Sequence, residues 1–133
     1  MTIHADHANG TASPHGAQVL RDLTPLHRNL RHAIPEVYRG FGALSKAAFD
    51  DGALDRRTKE LIALAIGVVE GCDGCVASHA QAAVRAGATR QEAAEAIGVA
   101  FLMHGGPATI HGARAYETFC DFADANAADA QSA

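Results

Sequence analysis

The run Leu61 to Val69, LIALAIGVV, is the longest strongly apolar stretch of the chain and constrains its fold more than any other segment. A membrane span takes ~20 such residues, so this stretch has to be covered by protein. Arg56-Arg57-Thr58-Lys59-Glu60 leads into it, and Ala63 and Ala65 lie within it. A buried strand is the rival reading. The charged lead-in and the alanines favour a helix, apolar on nearly every side. Such a helix is buried by neighbours or by a partner subunit. A chain of 133 residues supplies about one domain's worth of neighbours. With 48% hydrophobic and 20% charged residues, wholesale disorder is excluded.

The remaining punctuation divides the chain into further helices. Residues 1–12 are small and polar without apolar period and read as a flexible arm. Ser13-Pro14 and Thr24-Pro25 are both helix-start signals, so the segment to about Arg31 is one helix or two. Pro35 opens a clearer helix through Ala48, bearing Val37, Tyr38, Phe41 and Leu44, with Phe49 just after it; Asp50-Asp51-Gly52 breaks it. Asp55 can cap the apolar helix. Gly71 and Gly74 bracket a turn, and a helix from about Asp73 to Ala86 ends at Gly87. Thr89 and Glu92 form a capping-box signature for a helix reaching about Met103. Gly105-Gly106-Pro107 precedes a last helix to about Ala125. The expectation is an all-α chain: a single domain over 13–125 in about six helices, with a frayed tail over 126–133. No internal repeat or sustained heptad pattern is present.

Eleven basic against fifteen acidic residues give a formal charge of −4, which speaks against nucleic acid as a partner. The opening MTIHADHANG lacks the basic start and apolar stretch of a secretory signal. Three cysteines are too few for a disulfide scaffold, and their odd number fits a reducing compartment. A soluble, cytoplasmic protein without membrane attachment is expected.

One constellation carries chemistry: Glu60, then Cys72-Asp73-Gly74-Cys75, then His79. Sulfurs at the Cys-x-x-Cys spacing can meet across one helical turn. With Cys72 or Asp73 as cap, Cys75 lies in the first turn of a helix, where unpaired N–H groups and the positive dipole end favour a thiolate. His79 follows Cys75 by four residues, on the same face. Glu60 stands eleven residues before Gly71 and His79 eight after it, so a chain reversal there brings carboxylate and imidazole to one level. Thiol, imidazole and carboxylate in that order have the logic of a base-activated nucleophile. Zinc is the rival use of these residues: Cys72, Cys75 and His79 supply three ligands, with Glu60, His104 or His111 as the fourth. A thioredoxin fold is disfavoured, since no strand–helix–strand pattern precedes the motif.

The segment LDRRTKELIALAIGVVEGCDGCVASHAQAAVRAGATRQEAAEAIGVA resembles the alkylhydroperoxidase D-like (AhpD-like) branch of the carboxymuconolactone decarboxylase family. A glutamate about a dozen residues before Cys-x-x-Cys-x-x-x-His is the hallmark, met by Glu60, Cys72, Cys75 and His79; Gly105–Ala108, Gly112, Tyr116 and Phe119 are similar too. The resemblance runs from about Pro35 to Phe122. It implies an AhpD-like helical bundle assembled as a homotrimer or homohexamer, with no bound cofactor, and a peroxidase or disulfide oxidoreductase activity. Carried over by position, Cys75 is the peroxidatic thiolate, Cys72 the resolving thiol, and His79 with Glu60 the proton relay. The implied partners are a hydroperoxide substrate and a dithiol reductant, lipoyl-protein or thioredoxin-like. Some peroxidase members place a histidine directly before the second cysteine, where this chain has Gly74.

Two other functional classes stay open at this level. One is a metal-binding or redox-sensing module that uses the same cysteines without turnover. The other is a family enzyme acting on a lactone or small carbonyl, with Glu60 and His79 as acid and base. The other polar candidates have plainer readings. Cys120, among Tyr116, Phe119 and Phe122, reads as a buried inert thiol. His104 and His111 flank the Gly-Gly-Pro turn as surface or packing residues that could also line a pocket, and His27 and His32 read as structural. Glu70 is a solvated helix end or a partner of Cys72. Arg56, Arg57 and Lys59 form a solvated helix start suited to an acidic partner domain. Tyr38 is a candidate to pack over the site.

Overall fold

The computed structural model describes residues 15–133, so the expected arm over 1–12 and the Ser13-Pro14 signal lie outside the described residues. Six helices and no strand make up the described chain: α1 His15–Ala33, α2 Pro35–Phe49, α3 Arg56–Glu70, α4 Asp73–Arg85, α5 Arg90–His104 and α6 Gly106–Ser132. Local chemistry fixes most of the ends. Asp55 accepts the Thr58 N–H at 2.8 Å to start α3, and Gly71, at φ 63°, ends it in the left-handed conformation that glycine adopts without strain. Thr89 and Glu92 form a full capping box at the start of α5. Gly87, at φ 91°, closes α4.

Of the two readings open for the first segment, one helix or two, the structure gives one: α1 passes unbroken through Pro25, whose missing backbone donor falls on an exposed face. One boundary differs from the sequence expectation. α6 continues to Ser132, past the expected end near Ala125. Alanine is the best helix former, and the Ser132 hydroxyl bonds back to the carbonyls of Ala128 and Asp129.

The α3–α4 hairpin is the centre of the fold. α5 lies against α3, α6 against α4, and α1 crosses α4. The core joins Leu64 and Val68 of α3, Val76, Ala77, Ala80 and Ala83 of α4, Ile97 of α5, and Ala115, Phe119 and Phe122 of α6. The many alanines let the helices approach closely, and Phe119 is the largest wholly buried side chain. At Gly112 a Cβ would stand 2.5 Å from the Phe101 ring, so α6 passes α5 where only glycine fits. α2 is the exception: none of its residues is buried, and its backbone packs on α1 and α3, with Phe49 at its end reaching α4. Among the described residues no helix is long and apolar enough to cross a membrane.

Candidate active site

The α3–α4 turn sets the register of the site. Cys72 is the N-cap of α4: its Sγ accepts the Cys75 N–H at 3.2 Å, and it is joined to Cys75 as a disulfide across the first helical turn. Cys75 is exposed and Cys72 half-buried. On the α3 side the buried Gly67 packs against this turn, where a Cβ would lie 3.4 Å from both Cys75 Cβ and Val76 N. Behind the turn stands His111 of α6, whose Nε2 would be 3.1 Å from a Cβ on Gly71. His111 is therefore half-buried packing against the hairpin, while His104 is exposed at the end of α5.

Two helical turns back along α3 from Gly67 comes Glu60, and one turn along α4 from Cys75 comes His79. The antiparallel packing brings the two side chains together, with Glu60 Oε2 2.8 Å from His79 Nδ1. Glu60 is 1% exposed and is the one charged side chain buried among the described residues. An ionised carboxylate only accepts hydrogen bonds, so Nδ1 carries the proton and a neutral ring leaves Nε2 as its basic nitrogen. The hairpin thus pairs Glu60 with His79 and Cys72 with Cys75, the second pair one helical turn from His79 along α4.

Two further side chains belong to this site, and the sequence reading gives neither of them a place in it. Phe49, the last residue of α2, lays its ring 5.5 Å from the His79 ring at a tilt of 33°. Arg56 sits with its guanidinium 5.7 Å from the Phe49 centroid and its Nη2 3.4 Å from Glu60 Oε1. The only sequence signal for Arg56 is its place four residues before Glu60 on one helix face. Phe49 carries none, because the angle at which α2 returns is set by the Asp50–Asp55 link.

Other candidates fall elsewhere. Tyr38 bonds His27 Nδ1 at 2.9 Å and lies under Arg31, at the far end of α2 from Phe49. Eleven helical steps from one to the other amount to ~16 Å, so Tyr38 does not cover the site. Its hydrogen bond gives His27 the structural part expected of it. Glu70 is exposed at the end of α3. Gly74 lies under α1, where a Cβ would meet Leu23 Cδ1 at 3.0 Å. Leu23 thus takes the space into which a residue-74 side chain would have to fit. Cys120 is half-buried; burial pushes its thiol up, against a hydrogen bond with Tyr116 that acts the other way. Among the described residues no three His, Cys, Asp or Glu side chains are grouped so as to hold a metal ion.

Comparison with known proteins agrees with this architecture. The sequence profile of the carboxymuconolactone decarboxylase family matches residues 35–118, and the chain belongs to that family. An uncharacterized protein of Cupriavidus necator is 39% identical over 100 residues, covering 73% of this chain and 88% of its own. A carboxymuconolactone decarboxylase family protein of Legionella pneumophila, solved in its apo form, is 41% identical with a TM-score of 0.80, over 84% of this chain and 99% of that one. A Thermotoga maritima family member, described as a candidate for antioxidative response, is 26% identical with a TM-score of 0.72, over 84% and 95% of the two chains.

Proposed function

We propose that the protein is a thiol-dependent oxidoreductase that reduces hydroperoxides through a Cys72/Cys75 dithiol–disulfide cycle. The observation that carries this reading is the buried Glu60 carboxylate on His79 Nδ1, one helical turn from Cys75. Burying a carboxylate is costly without a partner, and here the partner is an imidazole poised as a base beside a thiol at a helix N-terminus. The antioxidative candidacy of the Thermotoga relative points the same way.

In the reduced protein His79 takes the Cys75 proton, and Glu60 orients the ring and offsets its charge. The Cys75 thiolate attacks the peroxide; the O–O bond breaks, Cys75 becomes a sulfenic acid, and the leaving alkoxide takes a proton to become an alcohol. The Cys72 thiol then displaces water from the sulfenic acid, giving the disulfide. A dithiol donor, lipoyl-protein or thioredoxin-like, returns both cysteines to thiols by exchange, and the exposed Cys75 sulfur is the accessible one to attack. Exposed apolar side chains on α2, α3 and α5, among them Phe41, Ile66 and Leu102, support assembly of copies as a trimer or hexamer. Light scattering that returns a clean monomer overturns the assembly.

The deciding experiment is thiol titration with intact mass of reduced protein, before and after one equivalent of an organic hydroperoxide. Two thiols and about two hydrogens should disappear, and not in Cys75→Ser. Two thiols left unreacted would refute the peroxidase reading. The same Cys75→Ser variant separates it from acid–base chemistry on a small carbonyl substrate, which would survive the substitution.

A further inference from the structure

The three basic residues that open α3 do different things. Arg57 pairs with Glu92 of α5 at 3.3 Å, and Lys59 donates to the Asp50 carbonyl at 2.6 Å. Arg56 alone turns to the site. Its backbone N–H is held by Asp51 Oδ1 at 2.6 Å, which fixes where its side chain starts. From there the guanidinium reaches Glu60 Oε1 and the face of Phe49 together.

That arrangement divides the Glu60 carboxylate between two partners, Oε1 to Arg56 and Oε2 to His79. The last torsion of a glutamate is broad, so a carboxylate held by one oxygen can rotate and exchange the two. A partner on each oxygen removes that freedom. Phe49 acts on the other component, because its ring lies over the imidazole and is itself seated by the cation above it.

We propose that Arg56 is a positioning residue of this site: holding Glu60 Oε1 and the Phe49 face at once, it fixes His79 with Nδ1–H on Glu60 and Nε2 as the base. This rests on the relay proposed above, and it reaches the reaction only through Glu60, Phe49 and His79. It also ties α2, which buries none of its own residues, to the chemistry of α3 and α4.

The test uses full-length protein with 15N-labelled histidine in wild type, Arg56→Met and Arg56→Lys, the lysine keeping the charge but not the planar fork. Imidazole 15N shifts of the oxidised proteins report the His79 tautomer without any turnover. Wild type should show one tautomer, protonated at Nδ1; Arg56→Met should show a mixture, and Arg56→Lys should lie between. In peroxide reduction, Arg56→Met should lose about tenfold in kcat with KM within about twofold, a part of the ~10²-fold or more that a positioned base supplies. Thermal midpoints should stay within a few degrees of wild type. An Arg56→Met protein with a single tautomer and wild-type kcat overturns the proposal. Should Arg56→Met fail to fold, a wild-type tautomer in Arg56→Lys overturns it instead. Absence of peroxide turnover in the wild type would sink the peroxidase reading and leave the tautomer measurement to decide on Arg56.

Discussion

The chain contains two helix hairpins of similar length with opposite fates. In α3–α4, Leu64, Val68, Ala77 and Ala80 are sealed from solvent, and the facing side chains form the Glu60–His79 pair and the cysteine turn. In α1–α2, Leu26, Leu30, Val37, Phe41 and Leu44 are just as apolar and stand exposed; Phe41 is 69% so. Apolar character therefore does not by itself decide burial; what decides it is which neighbours are present. α3 and α4 are covered by α1, α5 and α6, whereas α2 lies along α1 and α3 and reaches α4 only through Phe49. In the first hairpin α1 backs the core and α2 is a surface, whereas the second hairpin is the core and the site.

The sharpest way to break that contrast is to delete one phenylalanine from each region. Phe119 is wholly buried, so Phe119→Ala should cost ~3–5 kcal/mol in urea unfolding. Phe41→Ala should change the stability of the isolated chain by no more than ~0.5 kcal/mol, as surface substitutions do. If copies assemble through α2, the Phe41→Ala loss should grow with protein concentration, while that of Phe119→Ala stays fixed. A concentration-independent Phe41→Ala loss as large as that of Phe119→Ala would erase the distinction.

Helix caps give a smaller effect. Thr89 takes part in a reciprocal cap, and Thr89→Ala should cost ~1 kcal/mol in the same unfolding assay. Asp55 adds a pH signature. Its hydrogen bonds to Thr58 hold its carboxyl below the ordinary range, with Arg57 assisting. A depressed acid stabilises fully above the unfolded value of ~3.9, and that contribution is lost as pH falls through the lower folded value. Asp55→Asn keeps a capping oxygen and should flatten this acid limb; an unchanged limb would mean that the cap does not contribute.

These same caps show how much of the molecule the sequence carries. Asp55, Thr89 with Glu92, Gly71 and Gly87 act within a few residues of themselves, so composition at those positions fixes the ends of α3, α4 and α5. Glu60 and His79 were legible for a related reason: a tight reversal makes register follow from counting. Phe49 over His79 was not, because it depends on the path of the chain from Asp50 to Asp55, which no periodicity encodes. Between one helix and two for α1 the sequence left the choice open, and the exposed setting of Pro25, where a missing donor is tolerated, decides it. The exposure of α2 escaped for the opposite reason: its 37, 41, 44 spacing is the same in a helix that faces a core and in one that faces a partner.

The smallest effect tests whether α2 is energetically detached from the centre. Its N-cap is Ile34, which makes no side-chain capping bond, and Pro35 follows in the first turn. Ile34→Asp would place a capping carboxylate before the proline. In a helix coupled to the core such a cap is worth ~1 kcal/mol, the converse of Thr89→Ala. In α2 it should raise local protection from amide hydrogen exchange across the first turn while global unfolding moves by less than ~0.3 kcal/mol, because opening of α2 exposes little that the core depends on. A gain in global stability matching the loss in Thr89→Ala would show that α2 unfolds with the rest. The two hairpins would then be one cooperative unit, joined where Phe49 meets His79.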